Sequence, residues 1–492
     1  MNQRQVNLML EAFSTSQPSK NVAYLTSLTG YIYAWPSFTL ENFKSNETVL
    51  SHPMSSMELG LLGSLTNIGA LVTTPFCSWA LNVLGRKYSA ILFGLPFVLA
   101  WTIIYINNTV AVVLACVALS GAGAAGQAVS SVFIAEIAED SIRGAFASTT
   151  VTGYYIGLLI SYILGGLLDY HQVVFANLAL SVLYILLIAL LKESPVYLMQ
   201  KGKEKEARKA LAFYRQVDIT SKEIELEINQ IKLQLDPRLQ KMLEEDDVSL
   251  EDMKAMELLL KNKPEVEERK DESEWKFLLK SKSSKRALAT CLIIMCITIM
   301  MGSIVMQVYA EPLFKEAVPT INANKLSIFL ALDFIIASAL CSVCVDKFGR
   351  KPLMTITAAG AGVCTFLLGT QIKYRWAPDW STAFIVYLYS FIYNLGAAVV
   401  PFILPAEMFL PEVRGLCNSI IMACMWITNF VSLIIFNPLV DCLGLGIVFC
   451  CFAITCFLGA LYSHFYLPET KGLPADAIQL LFLKKKKVVV AA

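Results

Sequence analysis

The chain has 492 residues, of which 56% are hydrophobic and only 16% charged, with a formal net charge of +1. That balance leaves no basic field to attract a nucleic acid, so no nucleic-acid partner is expected. A soluble chain of this length divides into two or three domains with more charge, whereas these apolar residues come in blocks of about 18 to 25, the length that crosses a bilayer.

Residues 1–21 read as a polar cytosolic tail without a signal-peptide core. Twelve spans follow, at roughly 22–40, 57–80, 88–106, 110–135, 147–168, 172–191, 287–308, 326–345, 353–372, 382–406, 416–440 and 443–467. They group into an N-terminal six-helix bundle over 22–191 and a C-terminal one over 287–467. The linker 192–286 and the tail 468–492 are expected in the cytosol. The predicted fold class is all-α: a membrane protein of twelve helices in two pseudo-symmetric bundles.

Orientation follows from the basic residues of the short connections. Arg86, Lys87, Arg143, Lys347, Arg350, Lys351, Arg414 and Lys471 fall on one side, which is expected to be cytoplasmic, with both termini. The other side has few, chiefly Lys44, Lys315, Lys325, Lys373 and Arg375. A multi-pass protein of the plasma membrane is expected. Asn46-Glu47-Thr48 lies in the outer loop 41–56 and forms an N-glycosylation sequon, so Asn46 is a candidate modification site. In the linker, 203–214, 220–235 and 250–261 have apolar residues at helical spacing, with Pro237 and Pro264 as breaks. They read as a solvated bracket of short helices. Lys484–Lys487 is a tract suited to anionic membrane lipid.

The chemistry-bearing residue types exclude several functions. Twelve of the thirteen cysteines fall in or beside apolar runs, and Cys341-x-x-Cys344 has no nearby second pair or histidine, so packing is expected and no metal. Only three histidines occur, His52, His171 and His464, each isolated near a span end. No phosphate-binding Gly-x4-Gly-Lys-Ser/Thr loop is present, so neither ATP drive nor any cofactor is implied. No enzyme is expected. Asp333, inside span eight, is the one carboxylate placed well within a span.

Three polar signatures each occur twice, in the same order. Asn82 to Lys87 returns as Asp346 to Lys351. Glu136 with Arg143-Gly144 returns as Glu407 with Arg414-Gly415. Glu193-Ser194 returns as Glu469-Thr470. The copies lie roughly 270 residues apart, the mark of a duplicated unit, and duplicated helical bundles are how secondary transporters are built. Arg86, Lys87, Glu136, Arg143 and Glu193 in one half, and Asp346, Arg350, Lys351, Glu407, Arg414 and Glu469 in the other, are expected to form a cytoplasmic charge gate. Half-buried ions survive at such a face only when paired.

The same strings, together with Glu193-Ser194-Pro195-Val196-Tyr197-Leu198 and Pro468-Glu469-Thr470-Lys471-Gly472, resemble the sugar porter family of the major facilitator superfamily. The nearest likeness is to insect facilitated trehalose and glucose transporters. The resemblance covers nearly the whole chain and implies the major facilitator fold, a central substrate site and alternating access. It implies a uniporter, because proton-coupled members carry an acid in span one and span one of this chain, 22–40, has none. A monomer suffices for that cycle.

The resemblance weakens at the substrate. Aligning Gly302 and Tyr309 puts Thr298 and Ile299 at the family's paired glutamines and Ile304 at its asparagine, with Gln307 at another angle. In span ten, Ala398-Val399-Val400-Pro401-Phe402 replaces Gly-Pro-x-Pro-Trp, so Phe402 keeps a stacking face without the indole donor. Trp426 and Asn429 keep the family's arrangement. Asn394, Tyr154, Tyr155, Ser161 and Tyr162 are further candidates to line the cavity. The expectation is facilitated transport of trehalose, a hexose or another small solute such as a polyol. The alternatives are a non-transporting nutrient sensor of the same fold, or a channel.

Overall fold

The computed structural model describes residues 17–137, 143–234, 278, 281–409, 411–471, 478 and 481–482. Helix α1 (Gln17–Lys44) carries Thr26, Ser27, Thr29, Tyr31, Tyr33, Ser37 and Thr39, and all seven are buried. A span so polar is stable in a membrane because other helices, and not lipid, surround it. It meets α6 (Arg143–Leu167) backbone to backbone. A Cβ on Gly30 would lie 2.2 Å from the Tyr154 carbonyl oxygen, and one on Gly157 2.1 Å from that of Ser27.

The first half is completed by α2 (Ser56–Leu84), α3 (Arg86–Ile106), the pair α4 (Val110–Ala124) and α5 (Gln127–Ile137), and α7 (Tyr170–Ala189). The second half begins with α11 (Lys282–Ile299), α12 (Ser303–Val308) and α13 (Ala310–Ala317). It continues with α14 (Ala323–Phe348), α15 (Arg350–Tyr374), the pair α16 (Asp379–Leu395) and α17 (Val400–Met408), α18 (Pro411–Leu443) and α19 (Leu445–Tyr466). Among the described residues, ten helical segments are long and apolar enough to cross a membrane. Helix α6 adds a shorter apolar stretch at 151–167 and α1 supplies the polar, enclosed span. Across the seam between halves, α2 packs on α18 and α6 on α14.

Three expected spans are not continuous helices. Span four breaks between Ala124 and Gln127, span ten between Leu395 and Val400, and span seven at Gly302. Gly302 has φ +97°, and a Cβ there would lie 2.6 Å from the Phe452 ring, so both conformation and space require glycine. Broken helices of this kind expose backbone polar groups where a cavity or a partner can use them.

Between the halves, α8 (Pro195–Gln200), α9 (Glu204–Arg215) and α10 (Lys222–Gln234) form the first part of the linker. Two of the three expected helical stretches are here; 250–261 lies outside the described residues. The bracket is docked as well as solvated. Ala207, Ala210, Leu211 and Tyr214 are buried, and Arg215 Nη1 donates to the Ile137 carbonyl at 2.8 Å, capping the end of α5. Lys232 and Arg208 hold the Glu204 carboxyl below its usual range, which fixes α10 against α9. Of the tail, Ile478 is buried and the Phe482 carbonyl accepts from Arg286 at 2.7 Å. The lysine tract 484–487 lies outside the described residues.

Candidate functional site

The doubled signatures fold into two matching clusters at the end of the molecule that carries α8–α10. Helices α3 and α15 each start after a glycine of positive φ, Gly85 at +90° and Gly349 at +87°, so neither has a capping side chain of its own. The cap comes from a distant acid. Glu193 Oε1 accepts from the backbone N–H of Arg86 at 2.8 Å and of Lys87 at 3.1 Å. Glu469 accepts from the N–H of Arg350 at 2.9 Å and of Lys351 at 3.2 Å. A carboxylate at a helix N-terminus meets both free donors and the positive end of the dipole. A Cβ on Gly85 or Gly349 would lie 2.5 or 2.7 Å from these carboxylates.

The arginine at each helix start then turns to the glutamate ending span four or ten. Arg86 Nη2 lies 2.5 Å from Glu136 Oε1, and Arg350 Nη2 lies 2.7 Å from Glu407 Oε1. The second carboxylate oxygen of each glutamate accepts from Ser194 or, at 2.5 Å, from Thr470. The Tyr197 ring covers the Arg86 guanidinium at 5.1 Å. The sequence signature Glu-Ser/Thr therefore has two working residues, of which the expectation used only the first. The ion pairs Arg86–Glu136 and Arg350–Glu407 each lie within one half. The side chains of Arg143, Asp346 and Arg414 lie outside those described.

Polar and aromatic side chains from both halves meet at the seam further along. Tyr154 OH donates to Gln307 Oε1 at 2.8 Å, and Tyr155 OH to Asn394 Oδ1 at 2.5 Å. Trp426 Nε1 donates to Thr74 Oγ1 at 3.1 Å, and Tyr33 OH to Asn67 Oδ1 at 2.6 Å. Thr298, Tyr309, Asn394, Trp426 and Asn429 are each buried; Phe402 is not, at 46% exposed. The structure thus gathers Gln307, Asn394, Trp426, Tyr155 and Tyr162 at the seam and leaves Phe402 exposed on α17. Tyr33, Asn67 and Thr74 were not anticipated; their only signal was polarity within apolar spans. Asp333 lies on α14 with Oδ2 buried and without a hydrogen-bond partner among the described residues.

The opposite end, which carries Asn46, is closed across the seam. Tyr309 stacks on Phe436 at 5.2 Å, and its hydroxyl would lie 2.7 Å from a Cβ on Gly63. Lys315 Nζ binds Glu41 Oε2 at 2.5 Å and Glu311 Oε1 at 3.2 Å. Burial raises the Glu311 carboxyl above its usual range, against the pull of Lys315. One turn of helix is split here. In a continuous helix the Gln307 carbonyl would accept from the Glu311 N–H. Instead that carbonyl accepts from Tyr162 OH at 2.5 Å, and that N–H donates to Ser37 Oγ at 2.9 Å. Both replacement partners come from the first half. Asn46 is exposed just beyond α1.

Residues 21–482 match the family model described as sugar (and other) transporter. The chain belongs to this family. Among curated relatives, the facilitated trehalose transporter of Drosophila pseudoobscura is 25% identical over 487 residues, covering 96% of this chain and 50% of its own length. That of Polypedilum vanderplanki is 24% identical over 468 residues, covering 92% of this chain and 84% of its own. The chain thus spans about half the length of the Drosophila relative. Among solved structures, the inward open conformation of the xylose transporter XylE from E. coli superposes with a TM-score of 0.72 at 20% identity, covering 95% of this chain and 99% of its own. The fold is that of the major facilitator superfamily, and the expected family and architecture are borne out.

Proposed function

We propose that the protein is a facilitative transporter that moves a small, uncharged, polyhydroxylated solute, such as trehalose or a hexose, by alternating access in the plasma membrane. The observation that carries this reading is the belt of neutral donors and acceptors at the seam, Tyr154, Tyr155, Gln307, Asn394, Trp426 and Thr74, contributed by both halves. A solute bound there touches both halves at once, so its binding energy bears on their relative position. Neutral amides, phenols and an indole suit hydroxyl groups and bring no opposite charge to an ionic solute. Names of relatives that transport trehalose point to the same class.

In this reading the two charge clusters work as couplers within each half. They fasten the start of α3 or α15 to the ends of two other spans, so that each half turns as a body. With the end bearing Asn46 closed and the basic connections at the other end, we read the protein as open to the cytoplasm. Span one supplies no carboxylate before Glu41, so transport follows the solute gradient without protons. Uptake in oocytes from a panel of trehalose, glucose, fructose and a polyol is expected to saturate for one solute and to be the same with and without a proton gradient. Dependence on that gradient would overturn uniport.

One observation favours a second reading. Thr298 and Ile299 stand where relatives place amides, so the half-site of α11 offers a single hydroxyl. A nutrient sensor that binds without transporting needs less. No flux from surface-exposed protein, with solute binding retained, would establish that reading in place of the first. Glycosylation is a separate prediction: Asn46→Gln is expected to sharpen and speed the band on a denaturing gel, as glycosidase treatment does, and an unchanged band would place that loop elsewhere.

A further inference from the structure

Two amides of the second half that face the seam, Gln307 and Asn394, are paired on both atoms. Gln307 accepts from Tyr154 at Oε1 and donates from Nε2 to Ser303 Oγ at 3.3 Å. Asn394 accepts from Tyr155 at Oδ1 and donates from Nδ2 to the Ser390 carbonyl at 2.8 Å. Each amide keeps a second lone pair and a second N–H, but both residues are buried, Gln307 6% and Asn394 1% exposed, so a solute reaches them only by taking the place of a neighbour. The Ser303 and Ser390 bonds lie within the second half, on the amide's own helix. The exchangeable partners are the two phenols, because they reach across the seam from α6.

The phenols are held for this task. Tyr155 is stacked on Phe334 of α14 at 5.1 Å, and Tyr154 packs edge-on to Tyr33 at 6.0 Å and to Tyr155 at 5.5 Å. Adjacent on one helix, they diverge by about 100°, which sends one to span seven and the other to span ten. A phenol hydroxyl and a sugar hydroxyl are alike as donors to an amide oxygen.

We propose that Tyr154 and Tyr155 form a bolt that stands in for the substrate: their hydroxyls donate to the Gln307 and Asn394 side-chain oxygens, join the halves, and are displaced by two hydroxyls of the solute. The pair sets specificity, since a solute with one hydroxyl releases one phenol and leaves the other in place. It also couples binding to movement, because two of the bonds that join the halves across the seam are ones the solute exchanges. The solute arm of this proposal rests on the transport reading; the bolt itself does not.

The two arms are tested on Tyr154→Phe/Tyr155→Phe, which removes two hydroxyls and keeps both rings. A hydroxyl that grips the solute raises KM when removed. A hydroxyl that competes with the solute lowers it, and two released competitors lower KM about thirtyfold, at roughly one net hydrogen bond each. A raised or unchanged KM would overturn the specificity arm. The second measurement needs no solute: amide hydrogen exchange of the full chain in lipid nanodiscs, over residues 303–317. The bolt predicts faster exchange there in the double variant, and unchanged exchange would overturn it. Faster exchange with no uptake by either protein would uphold the bolt and defeat the transport reading alone.

Discussion

Replacing Arg350 with alanine is expected to abolish uptake while leaving the protein at the cell surface. Its guanidinium contacts Glu407 Oε1 twice, from Nη2 at 2.7 Å and Nε at 3.1 Å, and its Nη1 reaches the Val345 carbonyl at 3.3 Å. The pair is largely shielded, with side-chain exposures of 12% and 24%. Removing one member of such a pair costs about 3–5 kcal/mol, because the other charge stays behind in a poor solvent for it. That is enough to reduce the coupled population by two orders of magnitude or more. The backbone N–H of residue 350 remains to bind Glu469, so the helix start survives and the lesion is confined to the tie between α15 and α17. Glu407→Ala should match it, since it removes the acceptor of both Arg350 and Thr470. Arg350→Lys keeps the charge but not the fork and should fall between. Uptake beside surface biotinylation reads all three. Full flux in Arg350→Ala would remove the clusters from the mechanism.

A valine at position 63 is expected to hold the outer end open. Even the first atom of a side chain there would lie 2.7 Å from the Tyr309 hydroxyl and 3.0 Å from Val308 Cγ1, both on the segment that closes that end. Overpacking of this kind costs about 1–3 kcal/mol, which shifts a two-state balance by about 5- to 150-fold. In the alternating-access reading α2 and span seven separate when that end opens, so the penalty is expected to fall on the closed state. Ser37 is buried between the halves and serves as reporter. A cysteine at position 37 should react slowly with a membrane-impermeant thiol reagent in the parent and many times faster with valine at 63, while uptake falls. Equal labelling would show that the closure tolerates the extra atoms.

What the sequence made legible follows from the range of each interaction. Span positions depend on local apolarity, and eleven of the expected twelve show it at the described residues, α6 over a shorter stretch. The charge signatures were legible because duplication prints the same pattern twice. Their geometry was not. That Glu193 caps α3 from 107 residues away, and that Ser194 rather than Glu193 reaches Glu136, depends on tertiary approach alone. The same holds at the seam. Tyr33, Asn67 and Thr74 look like any polar residue of an enclosed span until α1, α2 and α18 are placed. The break in span seven had a local cue in Gly302, but a lone glycine in an apolar run is ambiguous, and positive φ becomes visible only with the backbone. Phe402, which the resemblance puts at the substrate, is 46% exposed on α17, an exposure set by how that short helix is turned and so not legible in the sequence.

The central claim is that solute passes through the seam because the two halves move about it. The most direct test is radiolabelled uptake of trehalose and glucose by the wild type and by Arg350→Ala, at matched surface expression. The account predicts saturable, proton-independent uptake of one of them in the wild type and none above background in the variant. Flux that does not saturate, or that is equal in the two proteins, would contradict it.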